Sequence, residues 1–204
     1  MKTLFASHLR NTIVAASLFF CTLSSTPVWS YQVLPGEYEW LPVWCRYMQS
    51  SNYKPQDPQK AAKWRAYLGP NWLHDHHFCW GLSLRMKAFK ESDEGRRNNY
   101  FKDVIQNMEY VLRRSSGPHI IEHETYYYMA EAYEMQGKKH LAERYYLQAL
   151  DTKPTYLQGI LKLIDFYRGE NRIALAFEYL RKGLEAHPNS RALARRKAKL
   201  EKLK

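Results

Sequence analysis

The densest group of chemically active side chains in the sequence is the stretch NWLHDHHFCWGL, residues 71–82. It places three histidines, one aspartate and one cysteine around and between two tryptophans. Imidazoles, carboxylates and thiolates are all metal ligands, and a cysteine near a histidine can also act as an activated nucleophile. The same residue types at helical spacing are equally typical of an aromatic helix that packs into a core. The rest of the sequence has to decide among these three interpretations.

A metal site needs ligands that converge on one point. On a helix, His76 and Cys79 are three residues apart and share a face, whereas His74 and His77 form a separate pair. Together with Cys45, the residues His76 and Cys79 are a candidate ligand set for zinc or copper. The C-x-x-C-H sequence that attaches c-type haem does not occur. A metal- or redox-handling function would therefore use Cys45, His76 and Cys79.

The cysteine count favours a different interpretation. Of the three cysteines, Cys21 lies in the predicted leader, so the mature chain keeps Cys45 and Cys79. A cysteine pair in an exported protein predicts a disulfide. That bond would remove both soft ligands from the metal set and would silence Cys79 as a nucleophile. We therefore expect a Cys45–Cys79 disulfide, a structural role for the histidine-rich stretch, and no metal or other cofactor.

Residues 1–30 have the organisation of a secretory signal peptide. Lys2 and Arg10 give a positive start, and the apolar run TIVAASLFFCTL is shorter than the roughly 20 residues that cross a bilayer. Ser30 suits the last position before a cleavage site. The sequence thus predicts cleavage near Ser30 and localisation in the periplasm.

The chain is strongly basic, with a formal net charge of +11. Much of the excess lies in residues 191–204, which carry seven Lys or Arg against one Glu. Clustered positive charge favours an anionic neighbour, and export makes nucleic acid an unsuitable one. Two interpretations stay open for this segment: a solvated terminal helix, and peripheral contact with an anionic envelope polymer or surface.

Two consecutive 34-residue segments, 123–156 and 157–190, align without a gap. Small, aromatic and proline residues recur at corresponding positions. The matched pairs are Ala142 with Ala176, Ala149 with Gly183, Tyr133 with Tyr167, and Pro154 with Pro188. Small residues let two helices cross closely, and proline cannot continue a helix interior, so each segment predicts a helical hairpin ended by proline.

This pattern resembles the tetratricopeptide repeat (TPR) family over residues 123–190. The resemblance implies an all-α protein, a short TPR-like α-solenoid of about three helical hairpins. The predicted segments are an irregular region with short helices over 31–70, a degenerate hairpin over 71–122, repeats over 123–156 and 157–190, and a basic capping helix over 191–204. Within them we expect helices over about 57–68 and 72–90 and within 96–115, with Asn189 capping the last helix.

In this family the first helix of each hairpin lines a concave binding groove. Transferring the groove positions gives Glu124, Tyr127, Glu131, Glu134, Gln158, Leu161, Asp165 and Arg168. The resemblance thus implies an acidic groove that binds a protein or peptide partner, while Glu122 and His123 are expected at the surface. No serine elbow, glycine-rich phosphate loop or H-E-x-x-H sequence occurs. We therefore predict a non-enzymatic scaffold or assembly factor for a complex of the cell envelope.

Overall fold

The computed structural model describes residues 33–48 and 57–203. The predicted signal peptide and its cleavage site lie outside these residues. The described residues belong to one unit, Tyr31–Lys204, and contain helices, turns and no strand. The prediction of an all-α protein is confirmed for this part of the chain.

Helices of two kinds follow one another along the described residues. The α-helices are α1 (Pro58–Leu68), α2 (His76–Lys90), α3 (Glu94–Arg114), α4 (Glu122–Met135), α5 (Lys139–Thr152), α6 (Leu157–Gly169), α7 (Ile173–Ala186) and α8 (Arg191–Glu201). Short 3-10 helices cover Pro35–Glu39, Val43–Tyr47 and Gly69–Leu73. Within the described ranges, none of the helices is both long and apolar enough to cross a membrane.

Two sequence expectations need correction at helix ends. The helix predicted over 72–90 begins only at His76, because His74 N–H donates to Asn71 O at 2.8 Å and so closes a 3-10 turn first. Helix α8 is capped by Ser190, whose hydroxyl accepts from Leu193 N–H at 3.4 Å, and not by Asn189. Within the irregular region, short 3-10 helices precede α1. The helix predicted near 57–68 is confirmed as α1, with Asp57 accepting from Lys60 N–H.

The two aligned segments have the same turn between their helices. Gly137 has φ of 74°, and Asn171, which is 34 residues later, has φ of 57°. In the first turn Lys138 N–H donates to the carbonyl 5 residues earlier, at 2.9 Å, and the equivalent Arg172 bond is 2.8 Å. This bond ends a right-handed helix at a residue with left-handed backbone angles, a conformation that glycine and asparagine adopt most readily. The sequence alignment therefore corresponds to a repeated backbone geometry.

Small residues sit where neighbouring helices approach one another. The main packing pairs are α2 with α3, α4 with α5, and α6 with α7. Ala142 and Ala176 are completely buried. A Cβ added to Gly183 would lie 2.8 Å from Ile160 Cγ2, and one added to Gly81 would lie 2.7 Å from Met108 Cε. A side chain at position 183 would overlap Ile160, and one at position 81 would displace the end of the Met108 side chain, so small residues allow the close packing at both crossings.

A cysteine pair attaches the N-terminal segment to the first hairpin. The sulfurs of Cys45, in a 3-10 helix, and Cys79, in α2, lie at disulfide distance, with Cα atoms 5.8 Å apart. Both residues are buried, next to Trp44 and Phe78, whose rings stack at 5.7 Å. The predicted cysteine pairing is thus confirmed in its geometry.

Ala142→Leu tests the helix spacing. We expect a loss of about 1–3 kcal/mol of unfolding free energy, because the added atoms overpack the crossing between α4 and α5. Urea unfolding followed by circular dichroism measures this loss. Ala174→Leu is the matched control, since Ala174 is exposed on α7. Equal effects of the two substitutions would show that position 142 is not a close crossing.

Cys45→Ser tests the covalent attachment. A bond that spans 34 residues stabilises by about 3–4 kcal/mol in the chain-entropy model, so the substitution should lower Tm. Cys79→Ser should lower Tm equally, and the double substitution should add little more. A thiol count on unreduced exported protein completes the test. Two free thiols in that protein would contradict the bond.

Candidate functional site

The aspartate of the histidine-rich stretch forms a buried contact with a histidine far along the chain. Asp75 and His119 side chains are 0% and 1% exposed, and His119 Nε2 lies 3.1 Å from the Asp75 carboxylate. Burial raises the pKa of Asp75, and the hydrogen bond from His119 opposes that rise. This pair joins the start of α2 to the linker between α3 and α4.

Ser115 completes a serine–histidine–aspartate arrangement that is closed to substrates. Ser115 Oγ lies 3.1 Å from His119 Nδ1 and also donates to Val111 O at 2.8 Å. A catalytic serine must give its hydroxyl proton to the histidine while the serine oxygen attacks a bound substrate. Here the hydroxyl proton is committed to the end of α3, and both His119 and Asp75 are inaccessible. The arrangement therefore favours a structural network over nucleophilic catalysis.

The neighbouring histidines are held by hydrogen bonds at Nδ1 and by aromatic contacts. His76 donates to Leu73 O and His77 donates to Asn107 Oδ1, each at 2.7 Å. The His77 ring stacks on Tyr110 with centroids 3.7 Å apart, and both imidazoles contact Trp80. Burial lowers the pKa of His76 to about 4, so this imidazole is neutral at pH 7.

The structure does not assemble the candidate metal set. Within the described residues, no group of three or more His, Cys, Asp or Glu side chains is placed to hold a metal ion. Cys45 and Cys79 are directed at each other, and His76 packs against His77 and Trp80. The stretch that suggested chemistry thus packs the first hairpin.

The predicted groove acids bind cations of neighbouring first helices. Glu131, which is 8% exposed, receives two hydrogen bonds from Arg85 of α2. Glu134 lies 3.1 Å from Lys162 Nζ of α6 and accepts from Tyr146 OH at 2.6 Å. Both carboxylates are therefore neutralised inside the molecule.

The same arrangement continues to the C-terminal helix. Asp165 accepts from Arg196 of α8 at 3.0 Å and lies 3.5 Å from Arg168. Arg196 also donates to Leu161 O at 3.2 Å. We call the three contacts that join α2, α4, α6 and α8 the ion-pair ladder: Arg85–Glu131, Lys162–Glu134 and Arg196–Asp165. The sequence predicted an acidic groove, but three of its four acids are paired with long cationic side chains of neighbouring helices.

An open cleft of about 580 Å³ lies beside the ladder. Of the predicted groove residues, Glu124, Tyr127 and Gln158 line it. The other lining residues are Arg85, His123, Tyr128, Lys153, Thr155, Tyr156, Leu157 and His187. The structure thus brings together the predicted residues at the start of α4 and α6 and leaves Leu161, Asp165 and Arg168 outside the cleft.

Three tyrosines form much of the cleft wall and supply its free hydroxyl groups. The Tyr127 ring contacts those of Tyr128 and Tyr156, with centroids 5.2 and 5.6 Å apart. Burial raises the pKa of all three phenols, so they stay protonated donors. Tyr146 and Tyr167 donate to carboxylates, whereas these three hydroxyls have no hydrogen-bond partner among the described residues. They are available to a ligand.

The charged groups of the cleft are close to balanced. Lys153 Nζ lies 3.5 Å from Nε2 of His123, and burial together with this lysine lowers the His123 pKa to about 4. Burial raises the pKa of Glu124, and Lys153 counteracts part of this rise. His123 is buried, in contrast to its expected surface position, while Glu122 is partly exposed.

A second cleft of about 330 Å³ adjoins the first. Arg85 and Tyr128 line both clefts, and the second is completed by Trp40, Leu41, Pro42, Leu82 and Met86. Trp40 is 74% exposed, an unusual state for so large an apolar ring. Sequence reasoning missed Arg85, Tyr156 and Trp40, because none occupies a groove position within the aligned repeats.

Glu131→Gln tests the ladder. We expect a loss of about 1–3 kcal/mol of unfolding free energy, because Arg85 would keep a half-buried charge without its carboxylate. The control is Glu185→Gln, whose partner Arg181 lies at 2.7 Å on an exposed surface, and its effect should be under about 0.5 kcal/mol. Urea unfolding of both variants gives the comparison. Equal small losses would mean that the ladder does not hold the helices together.

Comparison with known proteins adds no assignment. No protein-family model matches the sequence. No curated protein is significantly similar to it. The function therefore has to be argued from the repeat, the ladder and the two clefts.

Proposed function

We propose that the chain is a tetratricopeptide-type repeat protein that binds a segment of a partner protein in the tyrosine-lined cleft. The observation that carries this proposal is the set of three unpartnered tyrosine hydroxyls around a cleft of about 580 Å³. The recurring turn geometry of Gly137 and Asn171 supports the repeat assignment. The protein acts as a non-enzymatic scaffold or assembly factor.

The composition of the cleft suits a peptide with an apolar or aromatic anchor. Tyrosine supplies a large contact area at low entropic cost together with a polar tip, which is why it is enriched in protein interfaces. Gln158 adds an exposed amide at the rim, and Lys153 and Glu124 offer one charge of each sign. With the ladder acids already paired, the partner is selected by its anchor more than by its charge.

The second cleft extends the binding surface toward the N-terminal segment. Since Arg85 and Tyr128 line both clefts, an extended segment can pass from one to the other without leaving the protein surface. Arg85 is held between Glu131 and the rings of Phe89 and Tyr128, at 4.8 and 5.4 Å. This rigid guanidinium forms the ridge between the clefts, and Trp40 provides a second anchor site.

The proposed compartment is the periplasm. The pairing geometry of Cys45 and Cys79 suits an oxidising compartment, where disulfides persist. The leader-like composition of residues 1–30 points in the same direction. In this setting the partner is a protein or peptide of the cell envelope.

Tyr127→Ala tests the cleft. A partner captured from envelope extracts by crosslinking, and then purified, should bind the variant about 30-fold more weakly or worse, since central aromatic residues carry much of an interface energy. Isothermal titration calorimetry measures the affinity. Circular dichroism and Tm establish that the variant is folded.

The matched control is Tyr126→Ala. Tyr126 is the adjacent residue of α4, but it stacks on Tyr145 and does not line the cleft. Its substitution should leave the affinity within about three-fold. If Tyr126→Ala weakened binding as much as Tyr127→Ala, or if Tyr127→Ala had no effect, the cleft would not be the binding site.

A further inference from the structure

Helix α8 has one side committed to the fold. Leu193 and Leu200 are completely buried, and Arg196 reaches back to Asp165. These residues fall within about 60° of one another around the helix, at 100° per residue. The opposite side of α8 therefore faces away from the protein.

The solvent-facing surface of α8 carries a row of cations. Arg191, Arg195, Lys199 and Lys202, the residue that caps α8, are exposed and follow at intervals of four, four and three residues, which places them within about 80° of one another around the helix. We call these four residues the basic row. At a rise of about 1.5 Å per residue the row is roughly 16 Å long.

The basic row has no anionic partner within the described part of the chain. The exposed cations of α7 each pair with a carboxylate one turn away, Arg181 with Glu185 and Lys182 with Glu178, both at 2.7 Å. The nearest acid of α8, Glu201, lies 3.9 Å from Lys197, which is outside the row. The row thus presents four unpaired positive charges in a single direction.

We propose that the basic row docks α8, parallel to the surface, on an anionic phospholipid bilayer. A straight row on a convex helix can contact a plane at all four positions at once, whereas it offers no walls to enclose a discrete ligand. Leu203, which is 54% exposed directly beyond Lys202, adds an apolar side chain at one end of the row. This surface is separate from the tyrosine-lined cleft, so the two binding functions are independent.

The electrostatics predict weak and reversible docking. Each cation near an anionic membrane surface raises affinity roughly five-fold, so the row contributes on the order of 10²–10³-fold. This attraction decays over a Debye length of about 10 Å at 0.1 M salt. Docking should therefore weaken steeply between low and high ionic strength.

Vesicle sedimentation with the full chain tests the proposal. Vesicles containing phosphatidylglycerol and phosphatidylcholine should bind the protein far more strongly than pure phosphatidylcholine vesicles at low salt. The substitutions Arg191→Gln, Arg195→Gln, Lys199→Gln and Lys202→Gln in one variant should remove on the order of 10²–10³-fold of that preference. Residues 1–30 are the same in every protein compared, so their contribution cancels. If the fourfold variant loses its helical circular dichroism, Arg195→Gln with Lys199→Gln replaces it, with an expected loss of about 25-fold.

A control of equal charge separates the row from net charge. The residues Lys63, Lys90, Lys102 and Arg144 are exposed on four other helices, and their joint replacement by Gln should cost less than about ten-fold. Equal losses in the two variants would overturn the proposal, as would equal binding of wild type to both vesicle types. Binding of soluble polyphosphate in place of vesicles would also overturn it, because the partner would then be a polymer.

Discussion

The whole arrangement depends on the close approach of neighbouring helices at residues that lack large side chains. The Ile160 side chain packs directly against Gly183, and Ala142 of α5 is completely buried, so neither position has room for a larger side chain. Small buried residues recur after 34 residues, at Ala142 and Ala176, so the hairpins α4–α5 and α6–α7 are built alike. Because the helices are held in fixed positions, the ion pairs and clefts at the surface depend on which long side chains can reach a neighbouring helix.

The ion-pair ladder is one such consequence. With the first helices of successive hairpins held side by side, Arg85, Lys162 and Arg196 each reach an acid on an adjacent first helix. A half-buried ion pair contributes little net stability, but loss of one partner is costly, so the ladder fixes the helix register more than it strengthens the fold. It also removes these acids from the binding surface. What remains open is the tyrosine-lined cleft, which is bounded by the starts of α4 and α6 and by the loop between α5 and α6.

The sequence predicted the parts of this structure that repeat. The 34-residue period located the hairpins α4–α5 and α6–α7, because small, aromatic and proline residues recur at the positions where such hairpins cross and end. Tyr127, which lines the cleft, was named by the groove positions that the family resemblance implies. The sequence could not predict the partners of Glu131 or Asp165. A family groove position indicates which way a residue faces, but it does not indicate whether a long side chain of a neighbouring helix pairs with that residue.

The contact between Asp75 and His119 escaped prediction for a related reason. Both residues lie in non-repeating sequence, 44 positions apart, and their types suggested ligands or surface groups. A buried carboxylate without a partner would be very unfavourable, so once Asp75 is folded inward a donor such as His119 is required. Only the three-dimensional position of the α3–α4 linker reveals that donor.

The two ends of the hairpin stack are closed by different physical means. At the C-terminal end, α8 buries Leu193 and Leu200 and completes the ladder through Arg196, so one helix both covers the last hairpin and turns its basic row outward. At the N-terminal end, two 3-10 helices have little regular packing of their own, and Cys45 ties them to α2 through Cys79.

The wall of the second cleft, with Trp40 and Pro42, belongs to this tied segment. The shape of that cleft therefore depends on a covalent bond, whereas the tyrosine-lined cleft depends on the repeat itself. An oxidising compartment would keep both clefts intact, whereas a reducing compartment would preserve only the tyrosine-lined cleft, which is built from the repeating helices.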